Sequence, residues 1–233
     1  MPAMKHAGKA KRAGLRLVYW SLVLVVALLL AGVLARKLGE LLGAMAVTLV
    51  GLWVVFVFFC VYFFRDPNPN VPTAASAIVA PAHGKVDAIE ETEEPTFLGG
   101  RCRRISIFLS VFDVHVQNAP VAGRIALSRY THGQFLNALR SDSATHNENL
   151  FLGIESTERP GEKVAVRLIA GLIARRIVPW TETGATVARG ERIGLIQFGS
   201  RVDLYLPLDA QVAVSLGARV KGGETVIAHR AQA

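Results

Sequence analysis

The sequence predicts a mainly β domain, a β-sandwich or hybrid barrel, preceded by a transmembrane α-hairpin near the N-terminus. Three observations lead to this fold class. Two long apolar runs without a charged residue occupy the first part of the chain. Short runs rich in β-branched and aromatic residues, separated by turn residues, fill the remainder. A ten-residue pattern recurs at an offset of 33 residues near the C-terminus.

The two apolar runs lie at residues 17–35 and 41–64, and neither contains a charge. Each is long enough for a membrane-spanning helix, which needs about 20 apolar residues. Only residues 36–40 separate them, so we expect an antiparallel two-helix hairpin over residues 17–64. The length of the first run and the second run that follows at once argue against a cleaved signal peptide.

Basic residues indicate which side of the membrane the hairpin ends occupy. The tail at residues 1–16 carries five Lys and Arg residues, whereas the connecting turn carries two. Cytoplasmic flanks are enriched in Lys and Arg, so we expect the tail and the C-terminal domain on the cytoplasmic side of the cell (inner) membrane. Tyr19, Trp20, Trp53 and Tyr62 suit either membrane interfaces or packing between the helices.

A Pro-rich linker at residues 65–77 leads to a domain at residues 78–233 that is long enough for a real core. Short β-rich runs predict strands at residues 105–112, 124–127, 149–154, 163–169 and 175–178. The acidic run at residues 90–95 predicts a solvated loop.

The repeat aligns residues 184–193 with residues 217–226. Each copy has the pattern of a strand, a Gly turn and a return strand, which predicts a β-hairpin. The copies lie on either side of Gly199 and Ser200, so we expect a pseudo-symmetric domain. Two copies are too few for a solenoid.

Charge and cysteine content exclude several function classes. The formal net charge is +8, but five of the basic residues lie in the first 16 positions, beside the expected membrane surface. No nucleic-acid-binding motif occurs, so we expect no nucleic-acid partner. Cys60 and Cys102 fit neither a disulfide framework nor a zinc site, so we also expect no metal.

Gly199 and Ser200 interrupt an apolar run at residues 194–207. A glycine inside a strand pattern marks a bulge or a close approach of the backbone, so a hinge between two strands is one interpretation. The other is chemical, because a serine becomes a nucleophile when a neighbouring group activates it.

Five blocks of the sequence belong together: residues 64–67, residues 112–116, Tyr130 with Gly133 and Phe135, residues 174–178, and residues 198–200. In this order they resemble the phosphatidylserine decarboxylase family in its short, membrane-anchored form. The resemblance covers about residues 63–207, and the N-terminal hairpin agrees with it.

The resemblance implies a pyruvoyl-dependent carboxy-lyase made from a proenzyme that cleaves itself between Gly199 and Ser200. Ser200 Oγ would attack the Gly199 carbonyl, leaving a β-chain that ends at Gly199 and a 34-residue α-chain that begins with a pyruvoyl group. This group would form a Schiff base with phosphatidylserine and take up the electron pair as carbon dioxide leaves, without a metal or a diffusible cofactor. The product would be phosphatidylethanolamine.

The resemblance also assigns roles to side chains. His115 matches a histidine of the decarboxylation and reprotonation steps, and Asp113 and Asn118 are candidates for supporting it. Arg175 and Arg176 are candidates for binding the lipid phosphate, although adjacent strand residues point to opposite faces. The expected partners are the membrane, the phospholipid substrate and the chain's own two cleavage products; a homodimer is left open.

Two positions depart from the family pattern. His83 replaces an Asp and Asn118 replaces a second His; in longer forms these two and the serine make a self-cleaving triad. One hypothesis is that His83 deprotonates Ser200, as a dyad in place of the triad. The alternative is that maturation is slow or absent. The sequence also leaves open an archaetidylserine-type lipid substrate, and a non-enzymatic, membrane-anchored biotinyl-like adaptor.

Overall fold

A computed structural model describes residues 8–34, 40–134, 146–171, 176–197 and 199–231. The chain divides into two compact units, residues 8–66 and the part from Pro67 onward. The first unit contains helices α1 (Lys9–Leu34) and α2 (Glu40–Phe63). The strands of the second are β1 (Ala77–Val79), β2 (Gly84–Glu94), β3 (Gly100–Leu109), β4 (Val116–Asn118), β5 (Gly123–Thr131), β6 (Asn149–Ser156), β7 (Lys163–Ala170), β8 (Ile177–Pro179), β9 (Thr186–Val187), β10 (Arg192–Ile196), β11 (Ser200–Leu206), β12 (Gln211–Val212), β13 (Arg219–Val220) and β14 (Val226–His229).

Helices α1 and α2 form the pair expected from the two apolar runs. Both are long and apolar enough to cross a membrane, judged by length and composition. They are antiparallel, since Gly14 near the start of α1 lies against Phe64 just beyond the end of α2. Trp53 Nε1 donates a hydrogen bond to Ser21 Oγ at 2.8 Å, so this indole packs between the helices.

The strands form one eight-stranded sheet and two three-stranded sheets. The large sheet has the order β13-β2-β3-β11-β7-β6-β5-β9, and the small sheets have the orders β1-β14-β12 and β4-β10-β8. All the strand pairings are antiparallel. The large sheet curls into a half-barrel, which confirms the predicted mainly β fold class.

The core lies between the large sheet and the two small ones. Val202, Leu204 and Leu206 of β11 belong to the buried cluster, to which every strand of the large sheet contributes. Alternate residues of a strand face opposite sides, so Arg201 and Asp203 lie on the other face of the sheet. Strand β11 is central, between β3 and β7, and all its residues are buried.

The repeat does not form two hairpins, and that prediction is wrong. In the first copy β9 pairs with β5, whereas β10 pairs with β4 and β8. In the second copy β13 pairs with β2, whereas β14 pairs with β1 and β12. Each copy is a corner that leads from one edge of the large sheet into a small sheet. The chain turns there at Gly190 (φ +74°) or Gly223 (φ +73°), a conformation that favours glycine.

The predicted loop at residues 90–95 is also wrong, because β2 continues to Glu94. Glu90 and Glu91 pair with Arg104 and Arg101 on the adjacent strand β3. Glu94 is buried, and its carboxylate accepts backbone hydrogen bonds from residues 96–98. The run is therefore a strand with cross-strand ion pairs and a turn cap, although Glu90, Glu91 and Glu93 are exposed to solvent as expected.

Candidate active site

Gly199 and Ser200 lie at the beginning of β11, in the middle of the large sheet. Ser200 is opposite Leu109 on β3 and Ala170 on β7. Gly199 has a φ of +76°, a left-handed conformation that costs other L-residues about 1–2 kcal/mol. A Cβ at Gly199 would meet only Val111 Cγ1, at 3.8 Å, so the backbone conformation and not a lack of space favours glycine.

The Ser200 hydroxyl is fully buried and has no hydrogen-bond partner in the described part of the chain. A buried polar group without a partner costs about 1–3 kcal/mol, and most buried hydroxyls avoid this cost by hydrogen bonding. The unsolvated Ser200 Oγ, next to a left-handed glycine, is therefore a candidate for chemistry.

His115 is the histidine in contact with Gly199. The Gly199 N–H donates to His115 Nε2 at 3.1 Å, and His115 Nδ1 lies 2.9 Å from the Asp113 carbonyl oxygen. A backbone N–H can only donate, so Nε2 is the acceptor and the neutral imidazole carries its proton on Nδ1. The ring is fully buried, and both of its nitrogens hold neighbouring backbone groups.

Asp113 supports this arrangement through its backbone. Its carbonyl oxygen receives the Nδ1 proton of His115, whereas its carboxylate accepts hydrogen bonds from the N–H and the hydroxyl of Ser110, both at 2.9 Å. Asp113 Oδ1 also lies 3.1 Å from an Arg219 guanidinium nitrogen. The carboxylate thus fixes the turn after β3, and the turn orients the imidazole.

The two residues that depart from the family pattern lie side by side. A Cβ built on Gly222 would be 2.7 Å from Asn118 Oδ1 and 3.1 Å from His83 Cδ2, so both side chains pack against this glycine. Asn118 is buried, and its Nδ2 donates to the Gly190 carbonyl at 2.9 Å. His83 is half-buried and directly precedes β2.

Strand β3 separates His83 from Ser200. Lys85 of β2 and Arg201 of β11 are both opposite Phe108 of β3. Adjacent strands lie about 4.8 Å apart, so the backbones near His83 and Ser200 are roughly 10 Å apart. The Ser200 hydroxyl makes no hydrogen bond to His83, and the dyad stays a prediction.

A second polar group at the same end of the large sheet was missed by sequence reasoning. The Ala170 N–H donates to the Glu148 carbonyl at 2.9 Å, and Ala170 is opposite Ser200. The Glu148 carboxylate accepts a hydrogen bond from the Tyr130 hydroxyl and lies 3.6 Å from His132 Nδ1. Burial, then the hydrogen bond to Glu148 and its charge, raise the pKa of Tyr130 to about 12, so the phenol is neutral at pH 7.

Of the two arginines predicted to bind phosphate, the structure describes only Arg176. Arg175 lies outside the described residues. Arg176 is exposed, and its carbonyl accepts the Gln197 N–H at 3.1 Å, two residues before Gly199. Its charge also acts on Tyr130, where it is a minor influence that lowers the phenol pKa. Arg176 therefore lies at the same end of the domain as Ser200, and its role stays a prediction.

Comparison with known proteins gives consistent matches. A sequence model of the phosphatidylserine decarboxylase family matches residues 56–228, which include all the site residues above. The phosphatidylserine decarboxylase proenzyme of Desulfotalea psychrophila is 50% identical over 169 residues, covering 72% of this chain and 78% of the relative. The proenzymes of Symbiobacterium thermophilum and Ruegeria pomeroyi are each 44% identical over 203 residues, covering 87% and 83% of this chain and 90% and 92% of the relatives.

Proposed function

Because the chain belongs to the phosphatidylserine decarboxylase family, we propose that it converts phosphatidylserine to phosphatidylethanolamine with a pyruvoyl group made from its own Ser200. The observation that carries this proposal is the buried Ser200 hydroxyl, which has no described hydrogen-bond partner and directly follows a left-handed glycine. A hinge serine would be expected to hydrogen-bond or reach solvent. A nucleophile beside a glycine, whose carbonyl no side chain shields, suits self-cleavage.

The first step transfers the Ser200 hydroxyl proton to a base while Oγ attacks the Gly199 carbonyl carbon. The C–N bond between the two residues then breaks, the nitrogen takes a proton, and the Gly199 acyl group remains on Oγ as an ester. Loss of the Ser200 α-proton expels the Gly199 carboxylate and leaves a dehydroalanine. After tautomerisation, water replaces the nitrogen, which departs as ammonia, and the ketone of the pyruvoyl group results.

We assign the base role in this first step to His83. Both nitrogens of His115 are already bonded, to Gly199 and to Asp113, so His115 does not have a lone pair available for the Ser200 proton in this arrangement. The position of His83 against Asn118 supports the assignment, because its imidazole replaces the one that the family resemblance implies at position 118. Catalytic hydrogen bonds often tighten only when the reaction proceeds, so the separation by β3 is compatible with this role.

His115 is the proposed proton carrier of the decarboxylation. It is buried and accepts a hydrogen bond from the Gly199 N–H, so the new N-terminal group at position 200 would form close to its ring. An imidazole can accept a proton at one ring nitrogen and return it, which is the task of a general acid–base group. The pyruvoyl carbonyl supplies an electron sink for the pair released with carbon dioxide. Ser200 lies between Leu109 and Ala170, whose apolar side chains exclude water from this position.

The lipid substrate agrees with the two apolar helices, which support membrane association. The five basic residues before the first span favour the cytoplasmic face of the inner membrane for the tail and for the catalytic domain. A serine lipid with ether-linked chains has the same headgroup chemistry as phosphatidylserine, so the headgroup alone does not distinguish the two substrates. Activity on ester-linked and ether-linked serine lipids, measured side by side, therefore decides the natural substrate.

The intact mass of the purified protein tests the proposal. We expect two chains in place of one 25.1 kDa chain, with the shorter starting at position 200 and reacting with a carbonyl reagent. Ser200→Ala, which removes the nucleophile, should remain a single unreactive chain. A wild-type protein that also stays intact and unreactive would refute self-cleavage and favour the adaptor alternative.

A further inference from the structure

Glu148 and Tyr130 form a polar pair near Ser200 that the self-cleavage chemistry does not use. Glu148 directly precedes β6, and its carbonyl accepts the N–H of Ala170, the residue opposite Ser200. Only β7 therefore lies between the Glu148 and Ser200 backbones, a separation of roughly 10 Å. Both residues are at the same end of the large sheet.

Glu148 and Ser200 also share a face of that sheet. Leu150 of β6 and Val202 of β11 belong to the core cluster, and Glu148 and Ser200 each lie two residues before them. Side chains two residues apart in a strand point to the same face, so both face the concave side. Ala170, directly between them, has only a methyl group there.

Among the described residues, the Glu148 carboxylate is held by a neutral donor and not by a Lys or Arg side chain. Glu148 is only 9% exposed, and Tyr130 donates a hydrogen bond to it. A phenol does not neutralise a carboxylate, and the other described partner, His132, is charged only when protonated and has an 89% exposed side chain.

A nearly buried carboxylate is costly unless a cation or several donors satisfy its lone pairs. Tyr130 occupies one of about four acceptor positions, so the group can accept further hydrogen bonds from a cation. A primary ammonium, with three donors and a positive charge, fits this need. The charge of Arg176 reaches Tyr130 from the same region, so the site offers one carboxylate and one guanidinium to a headgroup with an ammonium and a phosphate.

We propose that Glu148 binds the ammonium group of an aminophospholipid headgroup, and that Tyr130 positions the Glu148 carboxylate for this contact. The inference rests on the proposed function, because it concerns the substrate of the same site. It makes Glu148 a specificity residue that selects phosphatidylserine and phosphatidylethanolamine over lipids that carry a phosphate but no ammonium.

Binding to the uncleaved protein tests this without relying on turnover. The full-length Ser200→Ala protein in detergent micelles is titrated calorimetrically with dihexanoyl phosphatidylserine, phosphatidylethanolamine and phosphatidylglycerol. Glu148→Gln in this background should weaken binding of the first two lipids about tenfold, as expected for loss of a hydrogen bond to a charged group, and leave phosphatidylglycerol unchanged. Tyr130→Phe should weaken the same two lipids about threefold, which supplies a second variant if Glu148→Gln does not fold.

Glu155→Gln is the matched control, because Glu155 lies at the other end of β6 in an exposed pair with Arg124. It should bind all three lipids like the parent. Equal weakening of all three lipids by Glu148→Gln, or no change for any, overturns the inference. With Ser200 intact, Glu148→Gln should still cleave; failure to cleave would assign Glu148 to maturation and overturn the inference while leaving the proposed function in place. Failure of the wild-type chain to cleave would instead refute the proposed function.

Discussion

Exchange of the residues at positions 83 and 118 tests whether His83 supplies the base for self-cleavage. The two side chains pack against Gly222, with His83 Cδ2 and Asn118 Oδ1 at 3.1 Å and 2.7 Å from a Cβ built there. Residues that share a contact couple by about 0.5–3 kcal/mol in double-mutant cycles. The variants are His83→Asp, Asn118→His and the double exchange, which recreates the Asp and His of the longer family forms.

A general base contributes about 10²–10⁴-fold, so His83→Asp alone should slow self-cleavage roughly 10³-fold, or about 4 kcal/mol. Asn118→His keeps the base but loses the Asn118–Gly190 hydrogen bond, so it should slow cleavage only about tenfold. The double exchange places an imidazole next to a carboxylate and should recover at least 100-fold over His83→Asp. Together with the tenfold loss expected for Asn118→His alone, this recovery corresponds to a coupling of about 4 kcal/mol, above the usual range of about 0.5–3 kcal/mol for residues in contact, because the exchange restores a catalytic base as well as a contact.

The assay follows newly synthesised protein in lipid nanodiscs and measures the appearance of the 34-residue α-chain over time by gel and mass spectrometry. His229→Asp is the control, because His229 is exposed and its described side-chain partner is Ser76. It should cleave at the wild-type rate. The dyad is refuted if His83→Asp cleaves as fast as wild type, or if the double exchange is no faster than His83→Asp.

Three further predictions concern stability and the cleavage turn. The hydrogen bonds from residues 96–98 outweigh the effect of burial and lower the pKa of Glu94, so its stabilisation is present above about pH 4.3 and is lost as pH falls. Glu94→Gln should therefore cost about 1–2 kcal/mol at pH 7, and less at pH 3.5, in thermal unfolding. In the uncleaved Ser200→Ala background, Gly199→Ala should cost about 1–2 kcal/mol, or about 2–8 °C in Tm, because of the φ of +76° at this position. Arg230→Met should cost about 3–5 kcal/mol, since it leaves the buried Glu162 without the guanidinium Nε that lies 2.8 Å away.

Each of these three predictions has a measurable result that would contradict it. A Glu94→Gln penalty that is constant between pH 3.5 and pH 7 would show that the ionised carboxylate does not cap the turn. An unchanged Tm for Gly199→Ala would show that the turn can relax to a negative φ. If Arg230→Met with Glu162→Gln is no more stable than Arg230→Met alone, the buried Glu162 charge is not the source of the loss.

The local sequence pattern predicts which segments are helices and which are strands. It does not predict which strands pair with each other. The two apolar runs and the alternation along β11 depend on neighbouring residues, and the structure contains both. The repeat also correctly predicted a strand, a turn and a second strand in each copy. Its strands pair with β5 and β2, which lie far away in the sequence, and no local signal specifies such partners. The acidic run failed for the same reason, because its arginine partners belong to the next strand.

The candidate site likewise combines residues that the sequence predicts with contacts that only the fold shows. Family resemblance selected Ser200 and His115 individually, but the bond that joins His115 to Gly199 spans 84 residues and is visible only in the fold. Glu148 was missed because it directly precedes the predicted strand at residues 149–154, in a polar stretch where a carboxylate is usually solvated. Its position depends on the register of β6 and β7, which places Glu148 against Ala170.

The position of the proposed cleavage point in the sheet would allow a cut chain to remain an enzyme. The proposed α-chain would begin with β11, which pairs along its length with β3 and β7, both in the proposed β-chain. Val202, Leu204 and Leu206 are fully buried, and each buried aliphatic side chain contributes about 1.5–3 kcal/mol. Since the proposed cut falls before the first residue of β11, it would remove one covalent bond and no strand pairing. The new N-terminal group would therefore remain between Leu109 and Ala170, where the fold places Ser200.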